Sequence, residues 1–330
     1  MNKRVLIIDD EPAIRRNLTF GLTQEGYACT ACPDGISAIH ELNNALAKGQ
    51  SYDYLITDVF MPDIDGMKIL TVIKSQFPDL PVLVITGFGD DSLKASALAE
   101  HNTGYLDKPF EIPDLVQALE ALAPGRTSGA GVAMPDGEPA AGRESVSAYL
   151  TIRITDAARS MEIFNELYHM EGVASCDAVR GDMDIIVLAQ AASEEKIRAL
   201  FDRVKAIAGI EVASLSSVER PKLDRDVNSF IEIYKKAVKY SPGQRMAERK
   251  GTTSYIIADI DKNAIQQIFT TVFFVNEVIF LDVIDGGAKL VGMITDSQAT
   301  GKTSRVMEKL AKIDGVLRVR EAKVIKMLDA

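Results

Sequence analysis

The sequence lacks any apolar run near the roughly 20 residues a helix needs to cross a bilayer. Its opening stretch, "MNKRVLIIDDEP", has only a few apolar residues before two acids close them off. That is too short for a secretory signal, and no small-residue cleavage site follows it. Cysteine is scarce: Cys29, Cys32 and Cys176 are the whole set. An odd, sparse set excludes a disulfide framework and points to a reducing cytoplasm. Cys29 and Cys32 do form a C-x-x-C, but "YACTACPDG" reads as a short strand, in which positions three apart face opposite ways. No second pair exists to complete a zinc site. Positive charge is also short, with 37 Lys and Arg against 47 Asp and Glu, a net −10. Such a balance argues against a mainly nucleic-acid-binding surface.

What is present is an ordinary soluble composition, 47% hydrophobic and 25% charged, over 330 residues. That length suits two or three domains. Through residue 123 short apolar runs alternate with helical spacing. "RVLIID", "YACTAC", "YDYLIT", "PVLVIT" and "GYLD" read as strands, each followed by a helical segment such as "PAIRRNLTFGLTQEG" or "IPDLVQALEAL". Near-continuous apolar strands are typical of a parallel sheet covered on both faces. Right-handed crossovers then give an α/β, doubly wound, five-stranded parallel sheet.

In such a sheet chemistry collects at the carboxyl ends of the strands. Those ends carry Asp9 and Asp10, Asp58, Thr86, and the run into Lys108. Asp63 and Asp65 lie further on, in a Pro/Gly loop, and read as loop polarity and helix capping. Clustered carboxylates repel unless a cation neutralises them. Oxygen donors alone suit Mg²⁺, and a carboxylate beside Mg²⁺ and a lysine is equipped for phosphoryl transfer.

The pieces "IIDDEP", "LITDVFMPDIDG", "VLVITGFGD" and "YLDKPF" stand in an order and spacing that resembles the receiver domain of bacterial two-component response regulators, a flavodoxin-like fold. The resemblance covers residues 1–123. It implies Asp58 as phospho-acceptor, and Mg²⁺ held by Asp9 (through water), Asp10, Asp58 and the carbonyl of Phe60. It further implies Lys108 as partner of the phosphoryl group, Thr86 and Tyr105 as switch hydroxyl and switch aromatic, and a cis Lys108–Pro109 bond. A sensor histidine kinase or phosphotransfer protein would be the donor.

Residues 124–146 are rich in Gly, Pro and Ala and read as a flexible linker. Beyond it the chain repeats. "AYLTIRI" returns as "SYIIADI", and "VKAIAGI" as "LAKIDGV". Tyr149 and Tyr255, Gly181 and Gly287, and Gly209 and Gly315 are each 106 positions apart, which argues for duplication. Each copy, 147–218 and 253–330, reads as an α+β ferredoxin-like βαββαβ unit. The turn "RGDMD" and the later "IAGI" resemble the RAM, or effector, domain of Lrp/AsnC regulators. That family pairs two units face to face, often around a small amino acid. The resemblance implies a homo-oligomer or an internal pseudo-dimer, with Arg180, Gly181 and Asp182 meeting an amino-acid-like ligand. A plain hairpin turn with solvated charges is the competing reading of those three residues.

Between the copies, 219–252 holds an amphipathic helix marked by Val227, Phe230, Ile231, Tyr234 and Val238. It reads as a connector packed on its own sheet with a basic outer face: nine Lys/Arg against five Asp/Glu lie in 219–251. "DSQATGKTS" imitates a P-loop, but Asp296 stands where the pattern needs Gly, so Thr300–Gly301 reads as a helix start. No base–nucleophile set appears in the repeats, whose one histidine is His169, so no enzyme is expected. Two readings follow: a phosphorylated switch whose repeats give the output by oligomerisation, ligand sensing or partner docking, or a DNA-binding transcription regulator without a recognisable helix-turn-helix.

Overall fold

The computed structural model describes residues 3–61, 64–87, 91–123, 146–240, 252–296 and 305–325. Three sequence-based expectations lie outside them: Asp63, most of the linker, and the helix start at Thr300–Gly301. The chain divides into two compact units, Met1–Glu138 with Asp224–Tyr240, and Pro139–Leu223 with Ser241–Ala330.

In the first unit β1 (Arg4–Ile8), β2 (Ala28–Cys32), β3 (Tyr54–Asp58), β4 (Val82–Thr86) and β5 (Thr103–Asp107) form a sheet in the order β2-β1-β3-β4-β5. Every pairing is parallel. β3 and β4 are buried at every position, which explains why they read as unbroken apolar runs. Crossover helices α1 (Pro12–Gln24), α2 (Gly35–Ala47), α3 (Gly66–Gln76), α4 (Asp91–Ala99) and α5 (Ile112–Glu120) follow the strands. Leu18 and Leu22 of α1 join Leu115 and Leu119 of α5 on Val5, Ile7, Ile56 and Ile85. Local signals set the starts. Pro12 opens α1, where a missing N–H costs nothing. Asp34 caps α2 by accepting from Ser37 N at 2.7 Å, and Asp65 caps α3 by accepting from Met67 N at 2.8 Å.

The second unit holds β6 (Val146–Ile154), α6 (Ser160–Tyr168), β7 (Val173–Arg180), β8 (Ile185–Ala191), α7 (Glu194–Lys205) and β9 (Ile210–Glu219). A second set follows: β10 (Thr252–Ile260), α9 (Ile265–Phe273), β11 (Val278–Ile284), β12 (Lys289–Asp296), α10 (Arg305–Ala311) and β13 (Val316–Ile325). Both halves run strand, helix, two strands, helix, strand. All eight strands close into one antiparallel barrel in the order β10-β12-β11-β9-β6-β8-β7-β13. The halves therefore join edge to edge, β9 to β11 and β13 to β7, and closure leaves no free edge.

Strand alternation sorts the side chains. Leu150, Ile152, Ile185 and Val187 face α6 and α7, while Tyr149, Ile186, Tyr255, Ile257, Val291 and Met293 share an inner cluster contributed by both halves. An eight-stranded interior is just wide enough for side chains to fill.

The helix expected within 219–252 departs from the sequence reading. This helix, α8 (Arg225–Ala237), was expected on the sheet of its own repeats. It belongs instead to the first unit, where it packs against α2 and α3. Val227, Phe230, Ile231 and Ile233 are all buried. The apolar periodicity identified Val227, Phe230 and Ile231, while Tyr234 and Val238 are only half-buried and Ile233 was not in the expected stripe; periodicity does not say which surface a stripe covers.

Candidate functional site

The carboxyl ends of β1, β3, β4 and β5 bring Asp9, Asp58, Thr86 and Lys108 together. Asp9 is wholly inaccessible and Asp58 is 7% exposed. Lys108 Nζ donates to Asp58 Oδ2 at 2.7 Å and lies 3.4 Å from Asp9 Oδ2. One ammonium thus serves two carboxylates. Asp58 Oδ1 accepts from Phe60 N at 3.1 Å, and Asp9 Oδ1 from Glu11 N at 2.8 Å. Lys108 is steered there by its backbone, whose N–H donates to the Thr86 carbonyl at 2.7 Å before a cis bond to Pro109.

The electrostatics follow from this packing. Burial pushes the Asp9 carboxyl above its usual range, against the Glu11 N–H and the charge of Lys108. Burial pulls Lys108 down, but its hydrogen bond to Asp58 and the charges of Asp58 and Asp9 outweigh it, so its pKa ends above the ordinary lysine value. Asp10 is half-buried next to this group, and Phe60 is exposed at the mouth. Thr86 is fully buried at the end of β4, and Tyr105 is half-buried on β5 with Lys94 Nζ 5.4 Å from its ring centre.

Two further residues shape the site without having been singled out in the sequence. Arg15 Nη1 donates to the Asp9 carbonyl at 2.6 Å. Gly66 lets α3 begin directly against the strand that carries Asp58. A Cβ there would sit 2.1 Å from the Asp58 carbonyl oxygen and 2.7 Å from the Val59 Cα. Both are backbone atoms with no room to yield. Gly66→Ala should therefore displace the Asp58 backbone, destabilise the first unit by about 1–3 kcal/mol, and slow phosphoryl labelling of the chain at least tenfold. A wild-type labelling rate in Gly66→Ala would show that the close approach is immaterial.

The other candidates separate from this pocket. Arg180, Gly181 and Asp182 are exposed at the end of β7. Arg180 pairs in register with Lys323 of β13, and a Cβ on Gly181 would lie 3.2 Å from the Glu321 carbonyl oxygen. The strand seam thus accounts for this glycine. The Asp182 carbonyl accepts from Arg153 Nε at 3.2 Å. Cys29 and Cys32 are free thiols, and burial holds Cys32 up at about 11. Among the described residues no three acidic, imidazole or thiolate side chains converge as a metal cage, and no helix is long and apolar enough to cross a membrane.

Residues 5–120 match the family described as the response regulator receiver domain. Over 116 residues the chain is 34% identical to the DNA-binding transcriptional regulator NtrC of Proteus hauseri, covering 35% of this chain and 24% of that protein. It is 36% identical over 118 residues to the probable transcriptional regulatory protein TcrX of Mycobacterium tuberculosis, covering 36% and 48%. The chain thus spans no more than about half the length of these relatives. Among solved structures, chemotaxis protein CheY4 of Vibrio cholerae aligns with 28% identity and a TM-score of 0.34, covering 37% of this chain and all of that one. A receiver domain protein from Clostridium thermocellum aligns with 31% identity and a TM-score of 0.33, covering 36% and 91%. The N-terminal region of the chain is a two-component response regulator receiver domain.

Proposed function

We propose that the chain is a cytoplasmic response regulator phosphorylated on Asp58 by a sensor histidine kinase or phosphotransfer protein, with its output delivered by the barrel. The carrying observation is the 2.7 Å contact of Lys108 with Asp58 beside the fully buried Asp9. An Asp58 carboxylate oxygen attacks the donor's phosphorus, the bond from phosphorus to the donor breaks, and Lys108 stands ready to hold the transferred group. Thr86 and Tyr105 are the proposed switch pair.

The donor set fits Mg²⁺. All the candidate ligands are oxygens, one ammonium cannot balance Asp9, Asp10 and Asp58 together, and a hard cation that keeps several waters needs no full protein cage. Asp9, through water, Asp10, Asp58 and the Phe60 carbonyl would hold it. Bound there, the cation supplies charge neutralisation for the phosphoryl oxygens.

For the barrel, the strand order within each half, with β6 and β10 central, matches a ferredoxin-like unit. Together with "RGDMD" and "IAGI" this supports tandem RAM-like repeats paired as an internal pseudo-dimer. An amino-acid-like ligand near Arg180, Gly181 and Asp182 is the lesser part of the proposal, since packing already explains the glycine. A DNA-binding role finds less support: the net charge is −10, and helix α8, with three Lys/Arg against two acids, packs on α2 and α3.

The test is peptide mapping of the full chain after exposure to acetyl phosphate and Mg²⁺. One phosphoryl group should appear on the segment 54–66 and be lost in Asp58→Asn. A label that persists in Asp58→Asn and vanishes in Asp63→Asn would refute the assignment.

A further inference from the structure

Helix α8 lies in sequence between the two halves of the barrel, yet it is part of the receiver's compact unit. It packs on α2 and α3, buries Val227, Phe230, Ile231 and Ile233, and places Asp226 Oδ2 2.9 Å from His40 Nδ1 of α2. Two tight glycine contacts tie this face to Asp58. The first is Gly66, whose N–H donates to the Val59 carbonyl at 2.9 Å and whose missing Cβ leaves α3 pressed on the Asp58 backbone. The second is Gly35, at the start of α2, where a Cβ would lie 2.5 Å from Ile69 of α3. Packed groups this close have little freedom to move separately, so a shift of the β3–α3 backbone carries both helices with it.

In the chain α8 follows the barrel strand β9. Only residues 220–224 separate it from β9. The last residues of β9 make the shorter of the two seams, pairing Val218 with Ile284 and Glu219 with Val283. Glu219 Oε1 also accepts from Gly286 N at 2.7 Å.

We propose that the α2–α3 face is the receiver's docking surface for α8, and that charge added at Asp58 shifts α3 and changes the hold on α8, transmitting the signal to the β9–β11 seam. This route is separate from Thr86 and Tyr105. It rests on the reading of Asp58 as acceptor. Coupling of this kind is reciprocal: if the phosphoryl state alters α8 docking, weakening the docking must alter affinity for a phosphoryl mimic by the same factor.

The experiment uses the full chain with beryllofluoride and Mg²⁺ as the mimic. Hydrogen exchange should change at least threefold in 66–76 and 225–237 together, and in neither in Asp58→Asn. Phe230→Ser should shift half-saturation by beryllofluoride at least threefold, and Phe230→Leu should restore it toward wild type. If 86–122 responds while 225–237 does not, the α8 route is wrong and Asp58 remains the acceptor. If α8 responds but Phe230→Ser leaves affinity unchanged, α8 follows some other route and the proposal also fails. If no segment responds and no peptide is labelled, the reading of Asp58 falls and takes this route with it. The exchange measurement needs no α8 variant, so poor folding of Phe230→Ser would leave it decisive.

Discussion

In the full chain, Asp58→Asn should take no phosphoryl label, Lys108→Met should be labelled about 100-fold or more slowly, and Asp9→Asn should label poorly while its receiver unfolds later than wild type. The first outcome follows from removing the attacking oxygen. The second follows from geometry: Lys108 is the cation 2.7 Å from Asp58 and 3.4 Å from Asp9. Removing one preorganised charged donor from such a site typically costs about 10²–10³ in rate. The third outcome comes from the sign of the Asp9 shift. Its folded pKa is raised, chiefly by burial, so folding favours its protonated form. That contribution is fully present below the unfolded value and is lost as pH rises through the folded one. At neutral pH the buried, ionised carboxylate is a cost, which a neutral amide of the same shape avoids while still accepting from Glu11 N. The receiver's melting transition should rise accordingly. A receiver that melts earlier in Asp9→Asn would mean that its hydrogen bonds, not its charge, dominate.

How much of this was legible in the sequence depends on the range of the interaction. The five receiver strands could be read because each is short, apolar and closed by a turn signal, and the parallel topology places Asp9, Asp58, Thr86 and Lys108 at one edge without further information. Asp65 was legible as a cap because capping is local. Gly66 was not singled out: its role depends on backbone atoms of Asp58 and Val59, and a glycine after an acid in a loop is ordinary turn chemistry. The 106-residue repeat was visible, as was the strand–helix order within each copy. The joining of edges was not, because a strand's pattern fixes which face is inward but not which strand lies beside it. Helix α8 shows the same limit. Val227, Phe230 and Ile231 of its stripe foretold burial, while its partners α2 and α3 lie some 150 or more residues earlier in the chain.

The barrel should behave as one cooperative body within a single chain, and a pair of tyrosines offers the sharpest test. Tyr149 of the first half donates to Asp282 Oδ2 of the second at 2.7 Å, and Tyr255 of the second half donates to Asp177 Oδ2 of the first, also at 2.7 Å. The bonds are exchanged between the halves, as a pseudo-twofold relation requires. Both tyrosines are almost wholly buried, and burial with the neighbouring carboxylate pushes the Tyr149 phenol up, so it stays a donor. The backbone seams they support are short: two register pairs join β9 to β11 and three join β13 to β7, against seven for β6 with β8. Tyr149→Phe or Tyr255→Phe leaves a half-buried carboxylate short of a donor, which costs about 1–3 kcal/mol. Both tyrosines lie in one inner cluster and Tyr255 bears on the Tyr149 phenol, so the double variant should depart from the sum of the two single losses. Hydrogen-exchange protection should fall in step across 146–218 and 252–325 in either single variant. Loosening confined to one half would show that the halves fold independently. Arg180 and Lys323 are exposed register partners across a seam, at a separation a disulfide can bridge. Arg180→Cys with Lys323→Cys should therefore crosslink inside one chain. Crosslinks found only between differently tagged chains would make the barrel an intermolecular assembly and overturn the single-chain closure.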